Sequence, residues 1–273
     1  MQVFIGPAGI PLALKGKSTL EALDYISKIG LNALEIEFVR KIYLKERDAK
    51  ILGKKAEELG IRLSIHAPYF LNLASEREVV VKRSKGLILK SLEIGSAMNA
   101  ECVVIHAGYY WKKGKEETFQ KIKEGIEDIL ERFSGNTKLA IETMAKKGQF
   151  GDLDEVIKLC KEVNDKRVVP LIDFAHIYAR NNGFIDYSEI FDKVKVMNLQ
   201  HINSHFSNVK YNINTKRFQD IHVPINNHPP VEPLLKEIVK RAVNITIICE
   251  SPLLERDALK IKEKLTKILA IRR

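Results

Sequence analysis

The strongest constraint on this chain is an alternation repeated eight times along its length. A short run rich in Val and Ile is followed by a longer segment with apolar residues three and four apart, and then by the next short run. Short apolar runs read as buried strands, and the three-and-four spacing reads as amphipathic helix. Strands are expected at 3–6, 33–38, 62–66, 102–106, 139–142, 168–173, 198–203 and 245–250. Helices are expected at 19–28, 49–59, 78–98, 116–133, 153–163, 188–194, 233–241 and 256–268. Local signals support the boundaries: Ser18 and Asp152 stand where N-caps belong, and Gly30 and Gly60 stand where helices stop. The segment 204–230, rich in Asn and Pro, reads as irregular.

Strands joined through helices should lie parallel, with right-handed crossovers. Eight such units in 273 residues predict the α/β class, a single (β/α)8 TIM barrel over 1–273 as one domain. The competing arrangement is a doubly wound open sheet. No repeat, low-complexity tract or linker divides the chain.

Composition narrows the class of partner. Hydrophobic residues are 45% and charged residues 29%, which supplies a core and rules out disorder as the main state. No run approaches the ~18 apolar residues of a membrane span, and the start MQVFIGPAGI lacks a signal sequence's basic and apolar regions. A cytoplasmic protein without membrane contact is therefore expected. The cysteines, Cys102, Cys160 and Cys249, lie in apolar runs without a CxxC pair, as buried thiols do in a reducing compartment. Lys and Arg total 45 against 35 Asp and Glu, a formal charge of +10. Such a surface favours polyanions, with phosphate backbones foremost. A Lys/Glu-rich surface of a heat-adapted protein gives the same excess.

The chemistry is expected where the strands stop. The apolar runs end at His66, His106, Glu142, Asp173, His201 and Glu250. In a parallel barrel these ends converge on one face, where barrel enzymes keep their active sites. His176 follows Asp173 by three residues, and Asp220 and His222 form a D-x-H pair that points one way if the backbone is extended. A single strand-end histidine is more often structural than a ligand, and a single acid after a strand is more often an N-cap. Six at one face argue otherwise. His205 and His228 receive no role. Imidazole with carboxylate suits zinc, or manganese as the alternative ion. Nine ligands suit three ions, or two with a generous shell. Four carboxylates against three divalent ions leave a positive site that attracts an anion, which suits phosphodiester hydrolysis.

These residues resemble a family. The run IHAPYFLNLAS, 65–75, is similar to the signature of endonuclease IV, the zinc-dependent apurinic/apyrimidinic endonucleases. VIHAG at His106, AIETM at Glu142, LIDFAH from Asp173 to His176, HIN at His201, D-x-H at Asp220 and His222, and CESP at Glu250 resemble its further motifs in order. The resemblance implies three zinc ions. His66 and His106 would hold the first, with Glu142, the catalytic bridge, shared with the second. Asp173, His201 and Glu250 would complete the second, and His176, Asp220 and His222 would hold the third. It implies hydrolysis of the phosphodiester 5′ to an abasic site in double-stranded DNA, and hence base-excision repair of damaged DNA. Tyr69 is expected to enter the DNA and Arg40 to grip it. A monomer is expected. The chain departs from the family pattern at HAG (106–108), at Glu142-Thr143, at HINSH (201–205) and at DIHVPINNHPP (220–230).

Two other classes fit less of the chain. A single-metal sugar isomerase or epimerase of the same barrel superfamily resembles it at Glu142, Asp173, His201 and Glu250 alone. A non-catalytic barrel that binds nucleic acid has no use for a full ligand set.

Overall fold

A computed structural model describes residues 1–110 and 114–271. Eight parallel strands form the barrel: β1 (Val3–Pro7), β2 (Ala33–Glu37), β3 (Arg62–His66), β4 (Cys102–Ile105), β5 (Lys138–Glu142), β6 (Val168–Asp173), β7 (Ile202–Phe206) and β10 (Ile245–Cys249). The ladder runs β1-β10-β7-β6-β5-β4-β3-β2. Its two ends meet, with Ala8 bridging Glu35 in parallel and Ile5 exchanging hydrogen bonds with Asn32. At this seam a Cβ on Gly6 would stand 1.7 Å from the Ala33 carbonyl oxygen. Only glycine permits the approach.

Around the strands lie α1 (Thr19–Lys28), α2 (Glu46–Glu58), α3 (Glu78–Ala97), α4 (Gly114–Arg132), α5 (Leu153–Val163), α6 (Phe174–Arg180), α7 (Tyr187–Lys195), α8 (Val231–Arg241) and α9 (Glu255–Ile271). Ser18 and Glu21 form a reciprocal capping box at α1, and Asp152 caps α5. The main core lies between strands and helices, with Val103, Ile105, Leu139 and Ile141 facing outward into it. The inner face follows the opposite parity. Cys102, Val104, Ala140, Val169 and Leu171 form a small separate cluster in the barrel. One inward step beyond Ala140 and Leu171 come Glu142 and Asp173, so the upper interior layer is polar.

Three expectations need correction. The seventh strand lies at Ile202–Phe206, not 198–203. The apolar run misplaced it because Asn203, Ser204 and His205 are polar yet buried. Two helices, α6 and α7, follow β6 where one was expected. The supposedly irregular segment contains an antiparallel hairpin, β8 (Asn208–Asn212) and β9 (Arg217–Val223). Its register slips between Val209, opposite His222, and Lys210, opposite Gln219. Asp220 and Ile221 therefore form a bulge, a device that re-aims side chains near functional sites.

Candidate metal centre

Eight of the nine expected ligands converge at the C-terminal mouth of the barrel. Glu142, ending β5, lies at the middle. Its Oε2 is 3.2 Å from His66 Nε2 and 2.9 Å from His106 Nε2. Its Oε1 faces a second group, 3.1 Å from His205 Nδ1. That nitrogen is also 3.5 Å from Glu250 Oε1 and 3.9 Å from Asp173 Oδ2. A third group begins at Asp173. As N-cap of α6 it accepts the His176 backbone N–H on Oδ1 at 2.7 Å, so the cap and the site share one carboxylate. His176 donates Nδ1–H to the Thr143 carbonyl at 2.9 Å and turns Nε2 to Asp220 Oδ1 at 3.1 Å. His222 Nε2 is 3.8 Å from the same oxygen. Asp220 and His222 do reach one place, though from the bulged stretch of β9 and not from regular ladder pairing.

His201 is the exception. It precedes β7 at the opposite end of the barrel, where Nε2 meets the Thr246 hydroxyl at 2.8 Å and the ring edge meets Phe4. Its place in the cluster is taken by His205, four residues on and fully buried. The parity was right and the depth was wrong. A rise of about 3.3 Å per residue puts His201 about 13 Å too deep. The HINSH run contained the signal, since the register pairs His205 with Asp173 across β7 and β6.

Two acids on β2 were also missed. Glu35, fully buried, contacts His205 from below. Glu37 accepts the Tyr69 hydroxyl at 2.5 Å. Tyr69 packs its ring against His66 and His106 at the rim of a cavity of about 340 Å³. Arg40 lies on the exposed turn after β2, makes no hydrogen bond or ion pair among the described residues, and does not line that cavity. Beside the centre, Asp220 is shared with a wider groove of about 1370 Å³ that carries Lys146, Lys147 and Arg217.

Electrostatics tie the groups together. Burial disfavours the Glu142 carboxylate, but His106, His205 and His66 outweigh it and hold its pKa well below the usual range. Burial works against a charged His66 as well, yet Glu142 and Glu37 hold its pKa up at about 9. Glu250 is pushed well up by burial, with Asp173 and Glu142 adding to the effect. Glu37 is lifted by burial to about 7.

Asp173 Oδ2 and Glu250 Oε2 are buried without a hydrogen-bond partner among the described residues. Such orphaned anionic oxygens are costly, and a divalent cation satisfies them. Three groups have ligand atoms close enough to hold one: His66, His106 and Glu142; Glu142, Asp173, His205 and Glu250; and Asp173, His176 and His222. Imidazole and carboxylate donors without thiolate fit zinc or manganese.

A parallel barrel with an imidazole–carboxylate nest at its C-terminal mouth defines the class. The chain belongs to the xylose isomerase-like TIM barrel family, whose model matches residues 23–268. An uncharacterized protein of Methanocaldococcus jannaschii is 36% identical, over 94% of this chain and 95% of its own. A probable endonuclease 4 of Sulfurihydrogenibium sp. is 29% identical, over 65% of this chain and 67% of its own. Among solved structures, a D-tagatose 3-epimerase-like protein superposes with a TM-score of 0.75 at 22% identity, covering 99% of this chain and 98% of its own. Endonuclease IV from Thermus thermophilus superposes at 0.72 and 19%, again over nearly the whole of both chains. At these identities the two structures speak to the fold. No helix among the described residues is long and apolar enough to cross a membrane.

Proposed function

We propose that this protein is a metal-dependent endonuclease that hydrolyses the phosphodiester 5′ to abasic sites in double-stranded DNA. The observation that carries the reading is the continuity of the three ligand groups. Glu142 belongs to the first and second, Asp173 to the second and third, and Asp220 closes the third against His176. His66, His106 and Glu142 would hold one ion, Glu142, Asp173, His205 and Glu250 a second, and His176, Asp220 and His222 a third. Bound divalent ions supply charge that neutralises a phosphate and activates water. The chain's own residues bind and orient. Tyr69 stands at the cavity rim, with its hydroxyl held by Glu37, ready to face a nucleotide turned out of the duplex. An abasic nucleotide is turned out at low cost because it has no base to unstack. Lys146, Lys147 and Arg217 line the neighbouring groove, where they meet phosphates without reading sequence. The relatives named endonuclease 4 and the +10 charge support the same assignment.

The test is a duplex with one abasic analogue. Zinc-loaded protein is expected to nick it 5′ to the lesion, and chelated protein is not. About three zinc ions per chain are expected. Glu142→Ala should lower the nicking rate by about three orders of magnitude, in line with several kcal/mol of lost charge stabilisation, while the far-UV circular dichroism stays native. A single-metal sugar epimerase is the second reading, favoured by the four-residue group of Glu142, Asp173, His205 and Glu250. One ion per chain and an intact lesion strand would favour it. His66, His106, His176, Asp220 and His222 would then have no ion to hold.

A further inference from the structure

Glu35 belongs to none of the three ligand groups, yet it touches the middle one. It lies on β2, faces the barrel interior and is fully buried. Its Oε2 accepts the Ser64 hydroxyl of β3 at 2.7 Å. Its Oε1 is 3.0 Å from His205 Nε2, an ion-pair contact, and both atoms are buried with no hydrogen-bond partner among the described residues. The opposite nitrogen of the same ring, Nδ1, faces Glu142, Glu250 and Asp173. The ring of His205 therefore lies between one carboxylate below and three above.

We propose that Glu35 is the positioning residue of the middle ion site. It keeps the His205 proton on Nε2, leaves the Nδ1 lone pair to the Glu142–Asp173–Glu250 group, and strengthens that nitrogen as a donor. Three features carry the assignment. A neutral imidazole has one N–H and one lone pair, so whatever takes the N–H decides which nitrogen binds. Among the described residues, the Glu35 carboxylate is the sole ion-pair partner of Nε2, and Nε2 has no hydrogen-bond partner elsewhere. Ser64 fixes the other carboxylate oxygen, so Glu35 cannot swing upward and become a ligand itself. An anion behind a ligating histidine raises its donor strength, and losing such a partner typically costs metal affinity. This extends the metal-site reading and holds whether the substrate is DNA or a sugar, because His205 belongs to the group common to both.

The test uses the full chain and variants Glu35→Gln and Glu35→Ala, with zinc affinity read by chelator competition. Proton spectra of the cobalt-loaded protein would follow the paramagnetically shifted His205 Nε2–H. Glu35→Gln still accepts that proton without the charge. It should keep the shifted signal and bind the middle ion about tenfold more weakly. Glu35→Ala should lose the signal to solvent exchange and weaken binding by roughly 10–100-fold. Unchanged affinity in Glu35→Gln would overturn the proposal, and so would a retained signal in Glu35→Ala. If the second variant does not fold, the first decides alone. Wild-type protein that takes up no divalent ion would overturn the metal reading itself, an outcome visible before any variant is compared.

Discussion

His205 and His201 share the inward parity of β7 but live in opposite electrostatic surroundings. His205 is ringed by Glu35, Glu142 and Glu250, and burial notwithstanding, these acids hold its pKa well above the usual value. His201 is depressed to about 4 by burial and by the Arg62 and Lys138 cations, with Glu101 opposing. A folded pKa below the unfolded 6.5 means that His201 contributes stability above pH 6.5, lost as pH falls through 4. His201→Gln should therefore flatten the decline in urea midpoint between pH 6.5 and 4 and leave zinc stoichiometry at the wild-type value. His205→Gln should lower the stoichiometry by about one ion, read by elemental analysis. Equal metal loss in both variants would reinstate His201. Most of the site was legible because an apolar run that ends abruptly in His, Asp or Glu marks the point where a strand leaves the core. His66, Glu142 and Asp173 obey that rule. It failed at β7, where the polar layer begins inside the strand and the run breaks off four residues early.

Among the elements, the β1–β2 seam and the β8–β9 hairpin are the joints on which the site depends. Gly6 lets β1 approach Ala33 closely enough to close the barrel, so Gly6→Ala must push the seam apart. A loss of about 3 kcal/mol, at the upper end for overpacking, is expected in denaturant unfolding, against about 0.5 kcal/mol for an exposed surface substitution. The hairpin carries Asp220 and His222. It is anchored by Phe218 against Tyr178 of α6 and by Asp257 of α9, which accepts the Ile225 backbone N–H at 2.7 Å. Asp257 also accepts the hydroxyl of Ser251, the residue after Glu250, so one buried acid ties β9 to the end of β10. Seven of the eight barrel strands could be read from the sequence because each carries an apolar run and is followed by a helical period. The hairpin could not. Its alternation is broken by the Asp220–Ile221 bulge, and its strands are half exposed, so neither the apolar-run rule nor strict alternation applies.

At the scale of the whole molecule, the barrel trades core for chemistry. Its upper interior holds Glu35, Glu142, Asp173, His66, His176 and His205, all buried, where a barrel of this class ordinarily packs branched apolar side chains. Gathering acids in a dry layer is costly unless cations join them, and the orphaned oxygens of Asp173 and Glu250 show that the histidines alone do not suffice. Metal binding should therefore stabilise the fold. At a thousandfold excess over Kd the gain is about 4 kcal/mol, or roughly 10 °C in Tm for a chain of this size, and calorimetry with and without chelator measures it. Glu250 gives the sharper test. Its folded pKa lies well above the ordinary 4.5, raised by burial and by Asp173 and Glu142, so in cation-free protein its contribution falls as pH rises from 4.5 through that raised value, a loss that a neutral side chain of the same shape does not incur. Glu250→Gln should then raise the Tm of chelated protein at pH 7 and lower that of zinc-loaded protein. A variant that lowers both would place the cost of this layer elsewhere, because only a ligand changes from burden to support when its ion arrives.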